Sequence, residues 1–354
     1  MGQNSKEGGD FETVAGVPDT LWLSRTGWTQ HFEGQDLHSL ALQTELPGTQ
    51  DENDMDQLFK SIVNASQEYF SRAESICTSS SHSLLRWTRS VTTTDCSPTP
   101  FRFVQSPATY QRYTRYWARL LCFLSRSYLP DSASQHLLIL NNEQLRCREQ
   151  LIIEAENYVS NTLQGNDRLQ QAIHQLFLSL IDQYLPESNF ESPIIHFLAC
   201  LGIDINSGSL RLPRTYTPIL AGFVYCMRII VLYEAHITAR QCGTRDILAI
   251  FKKMHAGWLT AASEFPFGDI LNLLGYGQKC CHEVKKSVIH WTPDTETLLY
   301  RGQQLEIANI STMVAELSNV AYTIGRQFFC WFESDSTSLD LTALHDELGN
   351  HDVG

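Results

Sequence analysis

The residues best suited to chemistry fall on one predicted helix that opens at Ser106-Pro107. Arg112, Arg115, Arg119 and Arg126 recur there at helical spacing, opposite Tyr110, Tyr113, Trp117, Leu120, Leu121 and Leu124 on a 100° wheel. Guanidinium groups about one turn apart beside aromatic rings can follow a phosphate backbone, which makes this face a candidate nucleic-acid surface. The same pattern also describes a solvated face whose arginines pair with acids. A second candidate is the pair Arg228 and Glu234 near and within the most apolar stretch, residues 219–235. Charges buried there must either find partners or line a cleft.

Cys280, Cys281 and His282, with His255 and His290, raise the question of a metal. Zinc sites use Cys-x2-4-Cys or His-x3-5-His spacing, and adjacent cysteines cannot easily close on one tetrahedral ion. No metal and no cofactor is therefore expected. The chain contains no phosphate-binding Gly-x4-Gly-Lys-[Ser/Thr], Gly-x-Gly-x-x-Gly, Gly-x-Ser-x-Gly or His-Glu-x-x-His. No catalytic residue is assigned. Whether the chain is an enzyme stays open, with a non-catalytic role favoured, because a site of scattered residues leaves no linear trace.

The elements that must position these residues read as mainly α, a multi-helix globular bundle with a small β-meander near residues 288–307. Residues 1–53, rich in Gly, Asp and Gln, read as a largely irregular N-terminal arm, with Trp22 and Trp28 docking it onto the body. The helical body runs over 54–332, either as one unit or as two subdomains split near 186–215, and an acidic flexible tail covers 333–354. Within the body, apolar spacing marks a helix over 54–76, and Ser and Thr mark 78–100 as a loop with a short apolar patch at 84–87. Asn141 opens a helix to about 163 with Gln144 as capping-box partner and Gly165 as its stop. Ser192-Pro193 and Gly202 bracket a short helix, and Thr217-Pro218 opens a core helix to about Gln241. Glycines around 266–277 mark a turn-rich segment with a short helix, and a last helix runs over about 311–332.

With 354 residues, 43% hydrophobic and 18% charged, the chain has ample material for a packed core. Its formal net charge of -13 opposes loose binding to polyphosphates or anionic lipid, so any nucleic-acid contact must be local. No Cys-x-x-Cys occurs among ten cysteines, which read as buried free thiols. The polar start 1–10 lacks an apolar signal core. The expected setting is intracellular, cytoplasmic or nuclear, without a membrane span: residues 219–235 are interrupted by Arg228 and fall short of the ~20 apolar residues needed.

Several stretches resemble a fungal family, the orsellinic acid biosynthesis cluster protein D type. They run in order as Trp22-Leu-Ser-Arg-Thr-Gly-Trp28 with His31 and Phe32, residues 109–126, Ser192-Pro193, residues 216–220 with Arg228, Leu274-Gly-Tyr-Gly277, and Trp291 followed by Tyr300. The resemblance covers most of residues 20–332 and includes no catalytic motif. It implies an accessory protein of a fungal polyketide gene neighbourhood, with another protein as partner. Longer relatives in that family carry a RecQ-like helicase beside this region. That implies the alternative of a DNA-associated helical module, or a remnant of a longer protein.

Overall fold

The computed structural model describes residues 21–48, 54–128, 137–160, 165–185, 189–286, 289–291, 297–300 and 303–328. The chain divides into two compact units, Met1–Cys281 and His282–Gly354. The proposed split near 186–215 is thus corrected, because the helices on either side of those residues pack into one core.

Among the described residues the helices run in order as α1 (Leu21–Thr26), α2 (Trp28–His31), α3 (Leu37–Gln43), α4 (Asp54–Cys77), α5 (His82–Arg89), α6 (Pro107–Arg126), α7 (Asn142–Ser160), α8 (Gly165–Ile181), α9 (Pro193–Leu201), α10 (Pro213–Gln241), α11 (Ile247–Trp258) and α12 (Pro266–Lys286). Local signals account for many of their starts. The Ser106 side chain accepts from Thr109 N, and Pro107 fills the first helical position. Asn141 and Gln144 form the reciprocal capping box, at 3.1 and 2.9 Å, one step before α7. Ser81 caps α5 and Asp246 caps α11 in the same manner.

The long helix α10 packs against α4, α6, α8 and α11. By length and composition it is apolar enough to cross a membrane, yet 72% of its most hydrophobic window lies inside the fold. At the centre Trp117 of α6 is fully buried, 4.8 Å edge-on from Phe177 of α8 and 5.1 Å from Phe223 of α10. Aromatic pairs at such distances add about 0.5–1.5 kcal/mol beyond the area they bury.

Four expectations drawn from the sequence are corrected by the structure. Residues 21–43 hold three short helices where an irregular arm was expected, and Trp22, Trp28, Phe32 and Leu40 are core residues. Residues 82–89 form a helix where a loop was expected, since Leu84 and Thr88 are buried one turn apart. The turn-rich segment at 266–277 is instead the start of one 21-residue helix. Gly277 serves close approach rather than turning: a Cβ there would stand 2.6 Å from Thr217 Cγ2 and 3.1 Å from the Trp22 ring. Gly165, expected to stop a helix, begins α8.

In the second unit, β1 (Ile289–Trp291), β2 (Thr297–Tyr300) and β3 (Gln303–Glu306) pair antiparallel in that order, with Ile289 opposite Tyr300 and Thr297 opposite Glu306. The helix α13 (Ile307–Phe328) follows directly and shows Met313, Leu317, Val320 and Ile324 to solvent at i, i+4, i+7 and i+11. The acidic segment 333–354 lies outside the described residues.

Candidate functional site

The arginine row of α6 is split in two. Arg112 and Arg115 are exposed. Arg119 and Arg126 turn instead onto the end of α3, whose last carbonyls have no partner within their own helix. Arg119 Nε donates to the Thr44 carbonyl at 2.7 Å, and its Nη2 donates to Thr44 Oγ1 at 2.8 Å and to the Glu45 carboxylate at 2.7 Å. Arg126 Nη1 donates to the carbonyls of Gln43 and Glu45, while its guanidinium lies 4.8 Å over the Phe59 ring. A helix C-terminus carries partial negative charge, so two guanidinium groups there both satisfy carbonyls and favour the dipole. Burial lowers the Arg119 pKa, and Glu45 acts against that shift. Half of the predicted nucleic-acid face therefore clamps the N-terminal helices.

Arg228 and Glu234 do not share a site. They stand six residues apart on α10, about 240° around its axis, and each has its own surroundings. Arg228 Nη2 donates to the Arg89 carbonyl at 3.1 Å and its guanidinium lies 5.6 Å over Phe267, while its Nε is buried without a partner. Burial, with the nearby Arg89 charge, lowers its pKa to about 10.

Glu234 belongs to a buried chain of hydrogen bonds that the sequence did not reveal. Tyr69 O–H donates to His174 Nδ1 at 2.8 Å, His174 Nε2–H donates to Glu234 at 2.7 Å, and Thr238 O–H donates to the other carboxylate oxygen at 2.9 Å. Hydroxyl, imidazole and carboxylate in this order resemble the parts of an activated nucleophile. Tyr69 and His174 are 2% and 4% exposed, however, so the hydroxyl faces packed side chains rather than a cleft. The chain ties α4, α8 and α10 together where apolar contact alone would leave each polar group unpaired.

A second buried cluster joins α2 to α9. His31 Nε2 and His196 Nδ1 are 2.8 Å apart, Cys200 Sγ lies 3.8 Å from His196 Nε2, and Phe190 stacks on His31 at 3.9 Å. One tautomer satisfies both contacts, with His196 Nδ1–H donating to His31 and Cys200 S–H donating to His196 Nε2. Burial first, and then the neighbouring His31, lowers the His196 pKa from its ordinary value of 6.5 to about 3. His31 is lowered by burial as well. The unfolded chain accepts these protons below pH 6.5 whereas the folded chain refuses them, so stability is full above 6.5 and falls as pH drops toward 3. One such histidine costs about 1.4 kcal/mol per pH unit, or about 2 kcal/mol between pH 6.5 and 5. Urea midpoints measured at pH 7, 6 and 5 should fall along this slope, and more shallowly in His196→Gln.

Beside this cluster a cavity of about 180 Å³ opens between α1, α2, α9, α10 and α12. Trp28, Phe190 and Tyr216 supply aromatic wall, and Arg25 and Asp269 supply charge. Trp28 is held edge-on to Tyr216 at 4.7 Å and to Trp22 at 5.8 Å. The Tyr216 hydroxyl donates to the Leu198 carbonyl at 2.6 Å, which leaves its ring as wall.

No cluster of three or more His, Cys, Asp or Glu suited to a metal occurs among the described residues. His255 is buried, bonds the Ser90 carbonyl at 3.1 Å and packs edge-on to Trp87 at 5.8 Å. The side chains of His282 and His290 lie outside the described residues.

Comparison with known proteins finds no matching family model, no similar curated protein and no similar solved structure.

Proposed function

We propose that this chain is a non-catalytic accessory protein of fungal secondary metabolism, of the orsellinic acid cluster type, that acts through binding rather than chemistry. The observation that carries this reading is the commitment of its reactive polar side chains to the fold. Tyr69, His174 and Glu234 bind one another, Arg119 and Arg126 hold α3, and His31 and His196 face each other. The family resemblance supports the setting. Deleting the gene in a producing fungus and profiling metabolites by mass spectrometry tests it. A changed profile of orsellinate-derived products is expected, and an unchanged profile contradicts the reading.

The exposure of Arg112 and Arg115 favours a second reading, a DNA-associated helical module. Two phosphate contacts would give a salt slope, log K against log salt, of only about -1.8 on duplex DNA. Titration of labelled DNA at two salt concentrations should show binding of that slope, lost in Arg112→Ala/Arg115→Ala. Binding that is flat with salt excludes this second reading.

A further inference from the structure

We propose that the cavity walled by Trp28, Phe190 and Tyr216 binds a small zwitterion of amino-acid type, with one apolar ring inside and its two charged groups on Arg25 and Asp269. This goes beyond the accessory reading and does not depend on it.

The size argument comes first. Apolar cavities of about 150 Å³ in proteins take up benzene, so 180 Å³ holds one six-membered ring and little more. The wall suits a ring, since three aromatic faces and aliphatic side chains such as Leu198 and Leu220 surround it. These walls are firmly placed: Trp28 and Tyr216 are 2% and 0% exposed, and the rim of the Trp28 ring would meet a Cβ on Gly202 at 2.7 Å.

The charges then select the ligand. Of the polar lining groups, Thr26 donates to the Leu23 carbonyl and Asn272 to the Ala261 carbonyl. Arg25 is exposed and Asp269 half-buried, and among the described residues neither makes a hydrogen bond or an ion pair. They are close enough for the Arg25 charge to act on Asp269. A free guanidinium offers paired donors to a carboxylate, and a free carboxylate accepts from an ammonium. A ligand with only one charge would leave the other protein group unanswered at the mouth of an apolar hollow, which is a basis for discrimination.

The test uses isothermal titration of the full chain with three probes that share one ring: L-phenylalanine, 3-phenylpropionate, which lacks the amine, and phenethylamine, which lacks the acid. Binding of L-phenylalanine at millimolar or lower concentration, at least tenfold tighter than either singly charged probe, is expected. Arg25→Met and Asp269→Asn should each weaken it at least tenfold without moving the urea midpoint, because both side chains reach solvent. Leu273→Trp, which fills the hollow, should abolish it. No heat with L-phenylalanine overturns the proposal, as does equal binding of a singly charged probe or unchanged affinity in both charge variants.

Discussion

Trp28→Ala is expected to destabilise the chain by about 3–5 kcal/mol, the range for deleting a buried large aromatic side chain. The size of the effect follows from where the ring sits. It is 2% exposed, meets Tyr216 and Trp22 edge-on, and fills the space above Gly202 so closely that no Cβ fits there. Truncation would join the ring's volume to the existing cavity, and a larger void gains nothing from collapse where α9 and α10 are pinned by the Tyr216 to Leu198 hydrogen bond. Urea denaturation reads the change in midpoint directly. An irregular arm resting on the surface would give less than about 1 kcal/mol for the same substitution.

The second large effect is the loss of the α6 clamp. Arg119→Ala/Arg126→Ala removes charge-assisted bonds worth about 1.5–3 kcal/mol per arginine and leaves the carbonyls of Gln43, Thr44 and Glu45 in need of water. A combined cost of about 3–5 kcal/mol is expected, concentrated in α1 to α3. Amide hydrogen exchange should show slow exchange of residues 37–45 in the native chain and fast exchange in the double variant, with α6 itself little changed. Arg112→Ala/Arg115→Ala serves as the control and should leave both stability and exchange within about 0.5 kcal/mol of the parent, as exposed arginines do. Equal behaviour of the two pairs would restore the picture of one continuous basic face.

The legible parts of the fold were those in which a signal is local. The Asn141 and Gln144 box and Ser106-Pro107 each sit within four residues of the backbone groups they satisfy, and Ser192-Pro193 and Gly202 bracket α9 even though the Ser192 side chain makes no cap hydrogen bond. The N-terminal helices were missed because they are short and lie in a polar segment, and their core contribution rests on a few side chains, Trp22, Trp28, Phe32 and Leu40, that find partners far along the chain. In α12 the glycines misled, since glycine marks a turn and a close helix approach equally, and only the neighbour across the gap, Thr217 for Gly277, distinguishes them.

The site shows the same limit. The arginine row was visible, but its main acceptors are backbone carbonyls, which every residue carries and no residue type announces. His196 did carry a signal, a single imidazole in an otherwise apolar helix, and His174 a weaker one beside Leu169, Ile173, Leu176 and Phe177, since a buried histidine needs a partner. Which partner could not be read, because Tyr69 lies 105 residues from His174 and His31 lies 165 from His196.

The reading of this chain as an accessory protein without chemistry stands most directly on the buried Tyr69, His174 and Glu234 series. Complementing the deletion strain with Tyr69→Phe keeps the ring and removes the hydroxyl bonded to His174 Nδ1, at a stability cost of about 1–3 kcal/mol. The parental metabolite profile is expected at matched protein levels. Loss of the products with folded Tyr69→Phe protein present would contradict it, and would make the series a catalytic group.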